Sequence, residues 1–266
     1  MKLLPRLQNA YRRSGFLGTL AVCARSLVFY AKELTPSGRR LRRRERDRDA
    51  EFDRRFGVKT GGMIRLADLS ILPTRSRMFG QGYGPTPERA FAEMLSAIPG
   101  DFKDFVFVDF GSGLGRVLLL ASEYPFRAIR GVEFSPDLHK IACDNIRSYR
   151  SQTQKCADIE SICQDAADYG IPESRAVFYF YNPFLEPVMA RVVLNIERSL
   201  EKNPREAYLI YYNPKARNTV DRSPMFRLLS EGREHCVYRS ISDGAPSRTP
   251  ECGEAFDTVA EKGTNF

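Results

Sequence analysis

The stretch Val106-Phe-Val-Asp-Phe-Gly-Ser-Gly-Leu-Gly-Arg116 decides how the chain is read. Phe105 to Phe110 is rich in Val and Phe and carries Asp109 near its end. Glycines follow at 111, 113 and 115, and the chain then opens into the helical-looking Arg116-Val-Leu-Leu-Leu-Ala-Ser. The pattern predicts a strand, a tight turn and a helix. Glycine can take backbone conformations that a side chain obstructs, and it lets a ligand approach the main chain closely. The helix start adds unpaired N–H groups, so the stretch reads as one wall of a nucleotide pocket.

Spacing and charge narrow the nucleotide. The dinucleotide fingerprint G-x-G-x-x-G would put its third glycine at 116, where Arg116 stands; the observed spacing is G-x-G-x-G behind an aspartate. A carboxylate at the strand end disfavours a nearby phosphate and favours a ligand carrying hydroxyls and an ammonium, as S-adenosylmethionine does. An ordinary strand-to-helix turn, or the glycines of a flavin or nicotinamide protein, are the alternatives.

Asp109 to Gly115 resembles the first motif of the class I S-adenosylmethionine-dependent methyltransferases. The resemblance implies a Rossmann-like α/β fold: a doubly wound, seven-stranded, mostly parallel sheet with an antiparallel last strand. It implies that Gly111, Ser112, Gly113 and Gly115 lie against the methionine part of the cofactor, and that Asp109 helps to hold its amino group.

Further positions fit in order. Ala128 to Glu133 reads as a second strand ending in a carboxylate 22 residues beyond Gly111. An acid at that strand tip can accept both ribose hydroxyls, which makes Glu133 the expected ribose ligand. Ser135, Pro136 and Asp137 form a helix start. Ile159 to Gln164 is a third strand before Asp165-Ala166, and the resemblance assigns Asp165 to the adenine amino group. A plain Asp-capped turn before Tyr169 is the other reading.

Val177-Phe-Tyr-Phe-Tyr-Asn-Pro-Phe184 reads as a buried strand that ends in Asn182, with Pro183 barring an immediate helix. Asn182 would stand beside cofactor and acceptor together. Phe184 could stack on a flat substrate or a methylated cation. Asn182-Pro183-Phe184 is similar to the Asn-Pro-Pro-Tyr motif of amine- and amide-methylating enzymes, but Phe184 replaces a Pro and Leu185 the final Tyr. Those departures leave its specificity untransferred. A second Asn-Pro pair, Asn213-Pro214, ends the strand Ala207 to Tyr212, and sequence gives no relation between the two.

Ahead of the glycine motif, Gly80 to Pro87 is dense in turn formers. Tyr83-Gly-Pro-Thr86 is similar to the entry loop of seven-strand lysine methyltransferases, which contacts the cofactor. Tyr83 is expected to close over the pocket, and Thr86 to cap the helix behind it. At the carboxyl-terminal end, residues 216 to 230 look helical, and 235 to 241 with 254 to 260 look like closing strands.

The net charge of +8 is uneven: residues 1 to 60 carry sixteen Lys and Arg against six Asp and Glu, a balance of +10, which leaves −2 for the rest. Apolar positions from Leu17 to Leu34 recur at helical steps, but Phe16 to Tyr30 is too short to span a bilayer and contains Arg25. Arg39 to Arg55 holds nine arginines and five acids. It reads as a solvated helix with paired charges, or as an arm for nucleic acid or an anionic membrane surface. Six cysteines without C-x-x-C spacing and only two histidines argue for reduced thiols and no metal site.

The expected layout is a helical, arginine-rich extension over 1–60, a connector and entry loop over 61–100, and the catalytic domain over 101–266. The expected activity is methyl transfer to a nitrogen: a protein lysine or glutamine side chain, or a small amine. The alternatives are nucleic-acid methylation and a catalytically silent cofactor-binding module tethered by the basic arm. A cytoplasmic protein, peripheral at a membrane if the arm binds one, fits this reading.

Overall fold

Strand β1 (Val106–Phe110) is buried along its whole length and is flanked in parallel by β2 (Ala128–Glu133) and β4 (Ala176–Tyr181). A strand covered on both faces has no polar side to show, which explains its unbroken apolar run. The computed structural model describes residues 35–70 and 79–241. Its seven-stranded sheet has the order β3-β2-β1-β4-β5-β7-β6, with β3 (Ile159–Cys163), β5 (Ala207–Tyr212), β6 (Phe226–Glu231) and β7 (His235–Ser240). β1 to β5 are parallel, and β7 runs antiparallel to both β5 and β6.

Alternate residues of the central strands feed two core layers. Phe107, Ile129, Val177, Tyr179, Tyr208 and Ile210 face α2 (Glu88–Ser96) and α3 (Arg116–Ser122), among Phe91, Met94, Leu118 and Leu119. Val108, Phe110, Phe178, Phe180, Leu209 and Tyr211 face α5 (Glu186–Lys202) through Val188, Val192, Val193 and Ile196. α4 (Pro136–Ser148) packs beside β3, its start capped by the Ser135 hydroxyl, which accepts from the Leu138 N–H. At β1 the chain leaves for β2 on one side and β4 on the other, and a crevice opens at the carboxyl ends of strands where order reverses in this way.

α1 (Pro36–Phe56) carries the whole arginine run. Its amino-terminal half is exposed, but Phe52 keeps only 1% exposure and lies in the same core layer as Phe91 and Leu118. The segment after it is tied down as well. Asn145 accepts from the Lys59 N–H and donates to the Lys59 and Leu114 carbonyls, and the Tyr83 hydroxyl donates to the Thr60 carbonyl at 2.6 Å.

Two sequence expectations are corrected. Thr86 does not cap α2: Pro87 holds the cap position, and the Thr86 hydroxyl shares a 2.9 Å hydrogen bond with that of Tyr179. Residues 216 to 230 are not one helix but the short α6 (Arg217–Asp221) followed by β6. β6 is an edge strand with a bulge between Leu228 and Ser230, and Phe226 is its only buried residue, so no alternating pattern announces it. β7 falls where a closing strand was expected. Residues 254 to 260 and the apolar stripe from Leu17 to Leu34 lie outside the described residues. Among the described residues, no helix is long and apolar enough to cross a membrane.

Candidate functional site

The tips of β1, β2, β4 and β5 surround a cavity of about 460 Å³. Asp109, Gly111, Ser112, Gly113, Glu133, Asn182, Pro183, Phe184 and Tyr83, all singled out in the sequence, line it. Gly115 does not; it sits against Ala142 with φ +83°. Asp165 and Ala166 border a separate recess of about 10 Å³, which shares Gly111, Phe134 and Phe184 with the main cavity. That is room for about one water.

The glycine turn is shaped by its neighbours. Gly111 and Gly113 have φ of +85° and +55°, a region that strains side-chain-bearing residues. A Cβ on Gly113 would stand 2.1 Å from the Tyr83 ring, and one on Gly111 2.6 Å from Pro183. The close approach these glycines allow is therefore made in part by the protein itself. Tyr83 is buried and paired with Ile64 by two main-chain hydrogen bonds. Burial pushes its hydroxyl pKa up, so it serves as wall rather than acid. The strap it belongs to is held on the other side by the Gln81 N–H on the Pro183 carbonyl and the Leu185 N–H on that of Phe79.

Two carboxylates from adjoining strands face the cavity at 2% and 3% exposure, Asp109 and Glu133. Glu133 takes the Gly113 N–H on one oxygen and the Ser135 N–H on the other, both at 2.8 Å. Burial raises its pKa from 4.5 to about 7, against the pull of the Ser135, Gly113 and Phe134 amides. No hydrogen bond reaches the Asp109 carboxylate among the described residues; burial, then the charge of Glu133, pushes its pKa well up. The Ser112 hydroxyl in the same wall is buried and has no hydrogen-bond partner among the described residues. Unmet polar groups of this kind are costly and rare.

The Asn182 and Asn213 ends, unrelated in sequence, are neighbours. β4 and β5 pair in register up to Tyr181 and Tyr212, and both asparagines continue with left-handed φ, +41° and +51°. Both line the cavity with Tyr179, Tyr181 and Lys215. The Tyr181 and Tyr212 rings lie 4.6 Å apart between centroids. Burial, then the charges of Glu234, Glu45 and Asp49, raises the Tyr181 pKa, which puts acids from α1 and from the β6–β7 turn near this mouth. Asp165 accepts from the Ala167 N–H, capping the short turn before Tyr169.

Arg116, Tyr181, Asn213 and Lys215 were not picked out as site residues. Arg116 directly follows the glycine motif, a signal read only as the helix opening. The other three reach the cavity through strand pairing that no local pattern reports.

Strand order and the single reversed strand β7 decide the architecture. The fold is that of the class I methyltransferases. No protein-family model and no curated protein sequence matches the chain. Among solved structures it is similar to an RNA methyltransferase from Salinibacter ruber in complex with S-adenosyl-L-homocysteine, at 23% identity over 62% of this chain and 97% of that chain, TM-score 0.42. It is similar to precorrin-6y C5,15-methyltransferase from Geobacter metallireducens, at 16% identity over 59% and 89%, TM-score 0.43. A third is the ribosomal protein L11 methylase from Lactobacillus delbrueckii subsp. bulgaricus, at 10% identity over 60% and 80%, TM-score 0.42. In the methyltransferase fold, the cavity described above occupies the crevice at the strand tips. Among its described residues, no group of His, Cys, Asp and Glu is arranged to hold a metal ion.

Proposed function

We propose that the protein is an S-adenosylmethionine-dependent methyltransferase acting on a nitrogen acceptor. The observation that carries this reading is the pair of buried carboxylates on neighbouring strand tips, Asp109 and Glu133, facing one cavity across the glycine turn. A phosphate-rich ligand would be repelled there, whereas a ligand with an ammonium and vicinal hydroxyls is matched. Each Glu133 oxygen accepts one amide N–H and keeps a lone pair for a hydroxyl, which suits the ribose role. Asp109 takes the amino group. Asp165 and Ala166 take the adenine edge, beside the recess that shares Phe134 with the main cavity.

When bound, the cofactor supplies an activated methyl on a sulfonium centre. The protein's part is to align the acceptor and exclude water. Asn182 orients the nitrogen, Tyr83 and Phe184 enclose it, and Tyr181 with Tyr212 forms an aromatic entrance. Acids near that entrance (Glu234, Glu45 and Asp49) favour a cationic amine over a phosphate-bearing acceptor.

Nucleic-acid methylation is the second reading, favoured by α1. Arg39, Arg40, Arg43, Arg44, Arg46 and Arg48 are exposed on it, while Asp49 and Asp53 turn inward to Arg116. Purified protein incubated with a cell lysate and methyl-labelled cofactor tests both: label in protein or small amines supports the nitrogen reading, and label in RNA or DNA supports the second. Binding of S-adenosylhomocysteine without transfer to any fraction means a silent cofactor-binding module. Failure to bind it overturns the proposal.

A further inference from the structure

Arg116 is the buried cation of the cavity wall. Its side chain keeps 3% exposure, whereas the other wall cations, Arg65 and Lys215, are exposed. The guanidinium is fixed from behind. Its Nε donates to the Thr60 hydroxyl oxygen at 2.7 Å, and the Thr60 hydroxyl donates in turn to Asp53 at 2.7 Å. Its Cζ lies 4.0 Å from the centroid of the Phe52 ring, a favourable cation–aromatic contact. Nη2 is buried, 3.3 Å from an Asp49 oxygen and 3.7 Å from an Asp53 oxygen, and makes no hydrogen bond among the described residues. The guanidinium is thus ion-paired with the α1 acids while its side chain stands in the wall of the cavity, where a further acceptor can meet the hydrogen bonding that Nη2 lacks.

Resting on the methyltransferase reading, we infer that Arg116 holds the carboxylate of the cofactor's amino-acid end, with the Ser112 hydroxyl as second donor. The logic is one of charge matching. The amino-acid end carries one positive and one negative group. Asp109 answers the first, and Arg116 is the buried cation in the wall that can answer the second. Asp49 and Asp53 belong to α1, so the same guanidinium joins the cofactor seat to the arginine-rich helix. Arg116 is thus a specificity residue for an intact amino-acid moiety, and Asp49 and Asp53 are positioning residues.

Calorimetric titration of the full chain with S-adenosylmethionine and with decarboxylated S-adenosylmethionine tests this directly, because the two ligands differ only in the carboxylate. Wild type is expected to prefer the intact cofactor by about tenfold or more, the size of a hydrogen bond to a charged group. Arg116→Met is expected to lose that preference, to within about threefold, while binding the decarboxylated compound as wild type does. Equal weakening toward both ligands would make Arg116 purely structural and overturn the assignment, as would a wild type that does not discriminate. If the methionine variant does not fold, Arg116→Lys is read instead: it keeps a charge without the fork, so the preference should fall at least threefold, and an undiminished preference overturns the assignment. Wild type that binds neither ligand overturns the function reading itself.

Discussion

Glu133 serves the fold and the proposed ligand with the same two oxygens. In the free protein its pKa is raised to about 7 by burial, so the folded chain holds a proton there that the unfolded chain releases near 4.5. The stability linked to that proton is fully present below the unfolded value and is lost as pH rises through about 7, a difference on the order of 3 kcal/mol. Ribose hydroxyls prefer the ionised form, so cofactor binding at about pH 6.5 is predicted to release a proton, seen as a dependence of calorimetric heat on buffer ionisation enthalpy. Affinity should rise with pH up to about 7, and a pH-independent affinity would exclude Glu133 from the seat. Glu133→Ala is predicted to weaken S-adenosylmethionine at least tenfold, since a buried acceptor of two hydrogen bonds is lost. Gly113→Ala places a methyl into the Tyr83 ring at a left-handed φ. It should cost roughly 1–3 kcal/mol in urea unfolding and displace the strap.

Among the elements, α1 changes most between its sequence and its setting. Read alone, Arg39 to Arg55 is a charged run whose acids dilute its arginines. In the fold, Asp49 and Asp53 face Arg116 while six arginines of its first half face solvent. Phe52 then anchors the helix in the core beside the glycine turn. Phe52→Ala is predicted to destabilise the protein by about 3–5 kcal/mol, measured by denaturant unfolding. Removal of residues 1–56 should lower both stability and cofactor affinity, because it strips Phe52, Asp49 and Asp53 from behind Arg116. Unchanged affinity in that truncation would show that the helix is independent of the site.

At the scale of the whole molecule, the two core layers hold the sheet rigid while the site is assembled at its edge from strand tips, a strap and the end of α1. Occupying the cavity should therefore stabilise the fold as a unit. S-adenosylhomocysteine at about 100 times its Kd is predicted to add about 2.7 kcal/mol and to raise Tm by roughly 5–10 °C, measured by scanning calorimetry. No rise at saturating concentration would count against the cavity as the cofactor seat.

The sequence by itself determined the sheet's centre and the glycine-turn side of the cavity. A strand buried on both faces must be a continuous apolar run, and a sharp turn behind it must be glycine-rich, so Val106 to Gly115 and Glu133 could be read from local pattern. Only the tertiary structure decided that Asn182 and Asn213 are neighbours, that Arg116 is walled in by Asp49 and Asp53, and that the β6 stretch is a strand and not a helix. Those outcomes depend on strand register and on contacts across up to sixty-six intervening positions, from Asp49 to Arg116, and a burial pattern along one segment carries no information about what packs against it from elsewhere.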